Sequence, residues 1–264
     1  MNFIDFALET AHLAGNILAN NFRKLEASDT AFKGSRDPVT RVDKESENLI
    51  VSRIRDSFPD HAIIAEESYL GEETSNDYKW VIDPLDGTVN YMHGLPIFAV
   101  SIALEHMGEK IIGVVHAPQI GETYHAEAGK GAYLNGEKIS VSSNQEMNRA
   151  VMATGFAYNR NEVKYRNFDN FERISLRCMG MRRMGAASLD LAWVGCGIFD
   201  GFWEAYLKPW DIAAGALIVR EAGGKVSDFD GGENFWQTGN IVASNGLLHE
   251  DLRSLISPFE DAAG

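Results

Sequence analysis

The chain has 264 residues, 45% of them hydrophobic, enough for a sizeable core as one large domain or two lobes. Its net charge is -14 and its pI about 4.9, with no Lys/Arg-rich run, which argues against a nucleic-acid ligand. No apolar run is long enough to span a bilayer, the acidic N-terminal segment lacks a basic leader, and the two cysteines, Cys178 and Cys196, have no metal-type spacing. A cytoplasmic protein with free thiols and no membrane contact is expected.

Apolar residues at Phe3, Phe6, Ala7, Leu13, Ala14, Ile17, Leu18 and Phe22 predict a helix over 3–26. Residues 33–38 read as an exposed loop. A second amphipathic helix covers 43–58, with Leu49, Ile50 and Ile54 on one side. A strand at 62–65 runs into Glu66 and Glu67. Val81 and Ile82 suit a buried strand that stops at Asp83-Pro-Leu-Asp-Gly-Thr, where Asp-Pro and Asp-Gly signal a turn. Strands at 98–104 and 110–117 follow, then a glycine-rich meander over 121–140. Up to about residue 145 the pattern is α+β.

Residues 142–145 are the best linker candidate, dividing an N-terminal lobe (1–145) from a C-terminal lobe (146–264). The second lobe reads as a strand (150–154), helices (about 164–178 and 187–195), a strand (199–205) and a helix (211–222). Strands near 225–228 and 241–244 and a helix over about 248–258 complete it. This alternation is α/β.

The chemistry concentrates in four acidic sites. Asp83 and Asp86 stand three apart, followed by Gly87 and Thr88. Carboxylate oxygens suit Mg²⁺, and small residues at a turn let backbone N–H groups approach an anion. The same segment also reads as an ordinary turn, each Asp bonded to its own backbone. Glu66 closes a predicted strand. Asp211, in Lys-Pro-Trp-Asp-Ile-Ala-Ala-Gly, reads as a helix N-cap. Capping does not account for Ala213, Ala214 and Gly215, which call for a helix start packed tightly against something. An acidic protein repels a phosphate ester, so bound metal ions are the obvious source of local positive charge.

Ala-Glu-Glu-Ser, Asp-Pro-Leu-Asp-Gly-Thr and Trp-Asp-Ile-Ala-Ala-Gly together resemble the signature set of the inositol monophosphatase family. The resemblance extends to 37–43 and 220–228, so it covers nearly the whole chain. It implies an α/β (α+β) fold of the sugar-phosphatase type, a layered αβαβα sandwich. It also implies a Mg²⁺-dependent, lithium-sensitive phosphatase, commonly a dimer. Carried over by position, Glu66, Asp83 and the Leu85 carbonyl would hold one Mg²⁺. Asp83, Asp86 and Asp211 would hold a second, and a looser third ion would touch Glu66. Backbone N–H groups of Gly87 and Thr88 would bind phosphate. Thr88 and Asp43 would orient the attacking water and accept its proton, although Asp43 also suits a helix N-cap. Glu204 would contact inositol hydroxyls, and Gly185 and Ala187 would line the substrate pocket, positions equally suited to helix-start packing. Lys33 would lie on a mobile loop near the metals; alone it reads as a solvated charge. Ala65 and Val89 depart from the family's usual Gly and Thr, and the loop between Glu66 and Asp83 is short.

Other phosphatase chemistries fit poorly. The Asp spacing of three, with Pro after the first Asp, argues against a phospho-aspartate intermediate of the haloacid-dehalogenase kind. Cys178 is followed six residues later by Met184, not by the Arg a cysteine phosphatase needs. No Gly-x-Ser-x-Gly elbow, Walker loop, dinucleotide fingerprint or His-Glu-x-x-His is present. The expected ligand is a small-molecule phosphate ester: myo-inositol monophosphate first, then fructose 1,6-bisphosphate, histidinol phosphate or phosphoadenosine phosphate. A regulatory protein that keeps the fold without catalysis is the competing class. The full set of acidic residues argues for an active enzyme.

Overall fold

The computed structural model describes residues 2–34, 36–68, 77–163 and 165–256. Helix α1 (Phe3–Asn21) leads to a small hairpin, β1 (Thr30–Phe32) and β2 (Pro38–Thr40), and then to α2 (Arg41–Ser57). The segment expected to be an exposed loop is the tip of this hairpin, closed by the Lys33 amide donating to the Asp37 carbonyl at 2.8 Å. A seven-stranded sheet follows: β3 (Ala62–Ala65), β4 (Tyr78–Asp86), β5 (Ala99–His106), β6 (Glu109–Ala117), β7 (Glu122–Glu127), β8 (Gly131–Leu134) and β9 (Glu137–Ile139). Its strands lie in chain order. β3 and β4 are parallel and the rest antiparallel. A short helix, α3 (Thr88–Met92), leaves the end of β4.

The remaining elements are β10 (Val151–Thr154), α4 (Phe168–Ser175), β11 (Gly180–Arg182), α5 (Ala187–Gly195), β12 (Gly201–Glu204) and α6 (Pro209–Glu221). The chain then forms β13 (Lys225–Ser227), α7 (Phe235–Thr238), β14 (Ile241–Ser244) and α8 (His249–Leu255). Five of the strands form a second sheet in the order β11-β10-β12-β14-β13.

Three apolar clusters define five layers. One joins α1 and α2 to one face of the first sheet through Phe6, Leu18, Ile50, Trp80 and Ile102. The next joins that sheet's other face to α5 and α6 and on to the second sheet, through Val81, Ala103, Leu191, Ile218, Phe202 and Ala243. The last packs α8 and Ile174 of α4 against the far face of the second sheet. The fold is therefore α/β, an αβαβα sandwich. Side chains alternate along β4 as strand geometry requires: Trp80 and Ile82 face α1 and α2, and Val81 faces α6. No helix among the described residues is long and apolar enough to cross a membrane.

Two sequence expectations change here. The helix foreseen over 164–178 is only Phe168–Ser175, and the chain after it forms the edge strand β11. The strand foreseen to stop at Ile82 continues as β4 through Asp86. It carries a bulge between Asp83, paired with Ser101, and Asp86, paired with Ala99. The Asp-Pro signal marks this bulge, not a chain reversal.

The small residues after Asp211 have a packing reason. A Cβ on Gly215 would come within 2.5 Å of the Leu191 Cβ in α5. On the other side, a Cβ on Gly113 of β6 would come within 2.7 Å of the Ala214 carbonyl. So α6 is wedged between α5 and the first sheet. Gly215→Ala is expected to lower stability by about 1–3 kcal/mol, although Ala is the better helix former. Thermal unfolding checks this: a drop of about 2–4 °C per kcal/mol is expected. A rise would contradict the close approach.

Candidate active site

The bulge aims the two aspartates. The Asp83 Oδ1 accepts from the Leu85 amide at 3.0 Å, and the Pro84 carbonyl accepts from the Ser46 hydroxyl of α2 at 2.9 Å. Gly87 then turns the chain with φ +91°. A Cβ there would sit 2.9 Å from the Ile97 carbonyl, so both conformation and space require glycine. The turn delivers Thr88 at the start of α3, where the first N–H groups have no intrahelical acceptor.

Asp211 arrives from the far side. It occupies the third position of α6 rather than the N-cap, and its Oδ2 accepts from the Lys208 amide at 2.7 Å. The Ser101 hydroxyl, opposite Asp83 in the sheet, donates to the Trp210 carbonyl at 3.2 Å, so β5 ties the two motifs together. Asp86 is held by the Ser188 amide at 2.8 Å and by the Ser188 hydroxyl. Ser188 lies one residue into α5 from Ala187.

Asp83, Asp86 and Asp211 share one field with Glu66. Burial pushes the Asp83 carboxyl well up, and the nearby Glu66, Asp86 and Asp211 push it further. Burial also raises Asp211, with Asp86 as the next cause. Burial raises Asp86 against the bonds from Ser188. Glu66 is raised by burial, opposed by Lys33, and lies within hydrogen-bonding reach of Asp83. Four like-charged, oxygen-donor groups in a desolvated place are what a hard divalent cation relieves. The donor set fits Mg²⁺. No group of three or more His, Cys, Asp and Glu side chains among the described residues is already arranged to hold an ion. Local partners hold the carboxyls instead. Lys33 Nζ lies 2.9 Å from Glu66 and 2.6 Å from Glu67. So Lys33 is no freely solvated charge, and its ammonium stands where positive charge is needed.

Asp43 is fully buried and does two things at once. It is the third residue of α2, not the N-cap. Thr40 is the N-cap, and its amide donates to Asp43 Oδ2 at 2.9 Å. Asp43 Oδ1 lies 3.0 Å from the Thr88 hydroxyl, which is also 3.0 Å from the Leu85 carbonyl. That hydroxyl has one proton and two acceptors, so it can donate to only one of them at a time. Burial pushes the Asp43 carboxyl up to about 6, against the hydrogen bonds from Thr40.

The carboxylates open onto a cavity of about 730 Å³ lined by Lys33, Glu66, Asp86, Gly185, Ala187, Glu204 and Asp211. Of the residues singled out from the sequence, these seven line the cavity, and Asp43, Asp83, Leu85, Gly87 and Thr88 do not. Asp83, Leu85 and Asp43 are buried. Glu204, at the end of β12, abuts Gly155 so closely that a Cβ there would collide with its carboxylate. Burial pushes the Glu204 carboxyl up to about 8. Sequence reasoning passed over Ser188, Thr40, Gly155, Arg183 and Tyr158. Only Ser188 carried a usable signal, as a hydroxyl beside the predicted start of α5. The loop between Glu66 and Asp83 falls partly at 69–76, outside the described residues.

The sequence pattern of the inositol monophosphatase family matches residues 1–259. The chain is 46% identical over 242 residues to Nus factor SuhB of Escherichia coli (strain K12), covering 92% of this chain and 91% of that protein. The structure of inositol monophosphatase from Anabaena (Nostoc) sp. PCC 7120 superposes with a TM-score of 0.87 at 40% identity, covering 97% of both chains. Extragenic suppressor protein suhB from Bartonella henselae superposes with a TM-score of 0.88 at 34% identity, covering 97% of this chain and 98% of that one.

Proposed function

The chain belongs to the inositol monophosphatase family, and on that premise we propose that it is a Mg²⁺-dependent phosphomonoester hydrolase acting on myo-inositol monophosphate. The observation that carries this reading is the quartet Glu66, Asp83, Asp86 and Asp211, each raised by burial, with Asp83 and Asp211 raised further by the charges of the others. In this reading Glu66, Asp83 and the Leu85 carbonyl would hold one Mg²⁺. Asp83, Asp86 and Asp211 would hold a second, and Glu66 would contribute to a third. When bound, such ions neutralise phosphoryl charge and make water more acidic.

The protein's own groups do the rest. Thr88 orients the attacking water, and Asp43 accepts its proton through the Thr88 hydroxyl. The amides of Gly87 and Thr88 take phosphate oxygens. Glu204 accepts hydrogen bonds from hydroxyls of the leaving polyol, with Gly185 and Ala187 leaving room for its ring. Lys33 on its hairpin offsets charge at Glu66. Residues 1–145 thus supply the phosphate end of the site, and residues 146–264 supply Asp211 and the leaving-group end. Lithium sensitivity, homodimer association and a cytoplasmic location belong to the same reading. The net charge of -14 argues against nucleic acid as a ligand, and bound cations would be needed to draw in a phosphate ester.

A substrate panel tests the assignment. Inositol 1-phosphate, fructose 1,6-bisphosphate, histidinol phosphate and phosphoadenosine phosphate are assayed for phosphate release with Mg²⁺, with and without Li⁺. The highest kcat/KM is expected on inositol 1-phosphate, with Li⁺ lowering it. A best rate on a non-polyol would overturn the inositol assignment and leave the hydrolase standing. The relatives named Nus factor SuhB favour a second reading, in which this chain also serves as a Nus factor. That role would survive Asp83→Asn, whereas phosphate release would not.

A further inference from the structure

Helix α5 carries one acid that the proposed chemistry does not use. Asp190 is 1% exposed, and among the described residues its Oδ1 is a buried side-chain oxygen with no hydrogen-bond partner. Buried polar groups are nearly always hydrogen-bonded, because an unanswered one costs stability. Capping does not explain Asp190, since the N-cap of α5 is Ala186. The free amides at the start of the helix are not its partners either. Those of Ala187, Ser188 and Leu189 serve Asp86.

Helical geometry places Asp190 under the cavity. Ala186 and Ala187 line the cavity, and Asp190 follows them on the first turn of α5, its amide donating to the Ala186 carbonyl at 2.9 Å. Residues three and four apart share a helix face, and helical side chains lean toward the N-terminus. Asp190 therefore leans toward the cavity from beneath two methyl groups. Helix α5 packs on β12, the strand that ends at Glu204. After burial, Glu204 is what raises the Asp190 carboxyl most, ahead of Asp86, while Arg183 lowers it. Glu204 itself lines the cavity and is abutted by Gly155 of the neighbouring chain segment.

Two neighbouring carboxyls resist ionising together, so the pair keeps a proton. Asp190 is the stronger holder: it is pushed well up, whereas Glu204 reaches about 8. A protonated carboxyl has an O–H to donate. A bond from Asp190 to one Glu204 oxygen leaves the other oxygen for the cavity.

We propose that Asp190 is a positioning residue that holds the Glu204 carboxyl toward the leaving group and so tunes the site for hydroxyl-bearing alcohols. This rests on the hydrolase reading above and deepens it with a residue hidden beneath the cavity floor.

The test uses inositol 1-phosphate and phenyl phosphate, whose leaving group has no further hydroxyls. The proteins are the wild type, Asp190→Leu, Asp190→Ala and Asp190→Asn. Asp190→Leu is expected to raise the KM ratio of inositol ester to phenyl ester by about 3- to 10-fold, the range of one net hydrogen bond, with kcat nearly kept. Asp190→Ala, which cannot overpack the helix, is expected to do the same. Asp190→Asn keeps a neutral donor of the same shape, so its ratio should match the wild type. An unchanged ratio in both Asp190→Leu and Asp190→Ala overturns the proposal, as does a rise of both KM values together. If the wild type releases phosphate from neither ester, the hydrolase reading falls and calorimetric titration of the same two esters decides. A Kd ratio raised about 3- to 10-fold in Asp190→Leu keeps the positioning role. An equal ratio, or binding of neither ester, removes it as well.

Discussion

Asp83→Asn is expected to lower phosphate release by on the order of 10³-fold or more while the protein stays folded. Asp83 is the carboxylate most exposed to the others, with Glu66, Asp86 and Asp211 all pushing its proton affinity up. In the proposed arrangement it serves both ions. Its loss forfeits several kcal/mol of charge stabilisation in the transition state, and each 1.36 kcal/mol is about tenfold in rate. The Leu85 amide now donates to Asp83 Oδ1 at 3.0 Å, and an asparagine carbonyl can accept that bond, so the bulge should persist. Removing one of four mutually repelling carboxyls should leave the metal-free melting temperature unchanged or higher. The wild type should gain stability as Mg²⁺ is added, and the variant should gain much less, because only binding to the folded state stabilises it. An active Asp83→Asn, or one with undiminished Mg²⁺ stabilisation, would remove Asp83 from the centre of the account.

Asp43→Asn is expected to cost about 10²- to 10⁴-fold in kcat, the usual range for a positioned general base. Its pH profile carries the sharper prediction. Burial pushes the Asp43 carboxyl up to about 6, so the wild-type rate should rise as pH passes from about 5 to about 7. That limb should be absent from the residual activity of Asp43→Asn. The stability effect runs the opposite way. A carboxyl raised from 3.8 to about 6 in the folded state binds its proton more tightly there than in the unfolded chain. Its contribution to stability is therefore fully present below about pH 3.8 and is lost as pH rises through about 6. The group thus trades stability for an ionised base at neutral pH, a common feature of functional sites. An unchanged acid limb in Asp43→Asn would assign that limb to another group.

The four ligand candidates were legible because each sits where a short motif says a chain element begins or ends. Glu66 follows an apolar strand, Asp83 and Asp86 flank a Pro-Leu pair, and Asp211 opens a helix. Chemistry of residue type did the rest, since carboxylates have few other reasons to gather behind apolar runs. The fold class was legible from alternation: helices, then strands, then a mixed half. The small residues Ala214 and Gly215 pointed to a tight helix approach before any coordinates, and Leu191 and Gly113 are what they approach.

Other features depend on contacts distant in sequence. A bulge and a turn share the same Asp-Pro wording. Only the pairing of Asp83 with Ser101 and of Asp86 with Ala99 distinguishes them. Whether an Asp at a helix start is the cap or the third residue turns on one amide bond, and for Asp43 and Asp211 that bond comes from Thr40 and Lys208. Ser188 grips Asp86 across 102 residues of chain. The predicted helix over 164–178 failed at its end, where Met179 and Gly180 donate to the Ala150 carbonyl and draw the chain into the sheet edge. There tertiary pairing overrides local propensity.

The most direct measurement is phosphate release from inositol 1-phosphate by the purified protein, assayed with Mg²⁺, after chelation, and after Mg²⁺ is restored. The account predicts steady release with Mg²⁺, none after chelation, and full recovery on restoration. Undiminished release in the chelated protein would contradict it, because the carboxylates of Glu66, Asp83, Asp86 and Asp211 would then have no ion to hold.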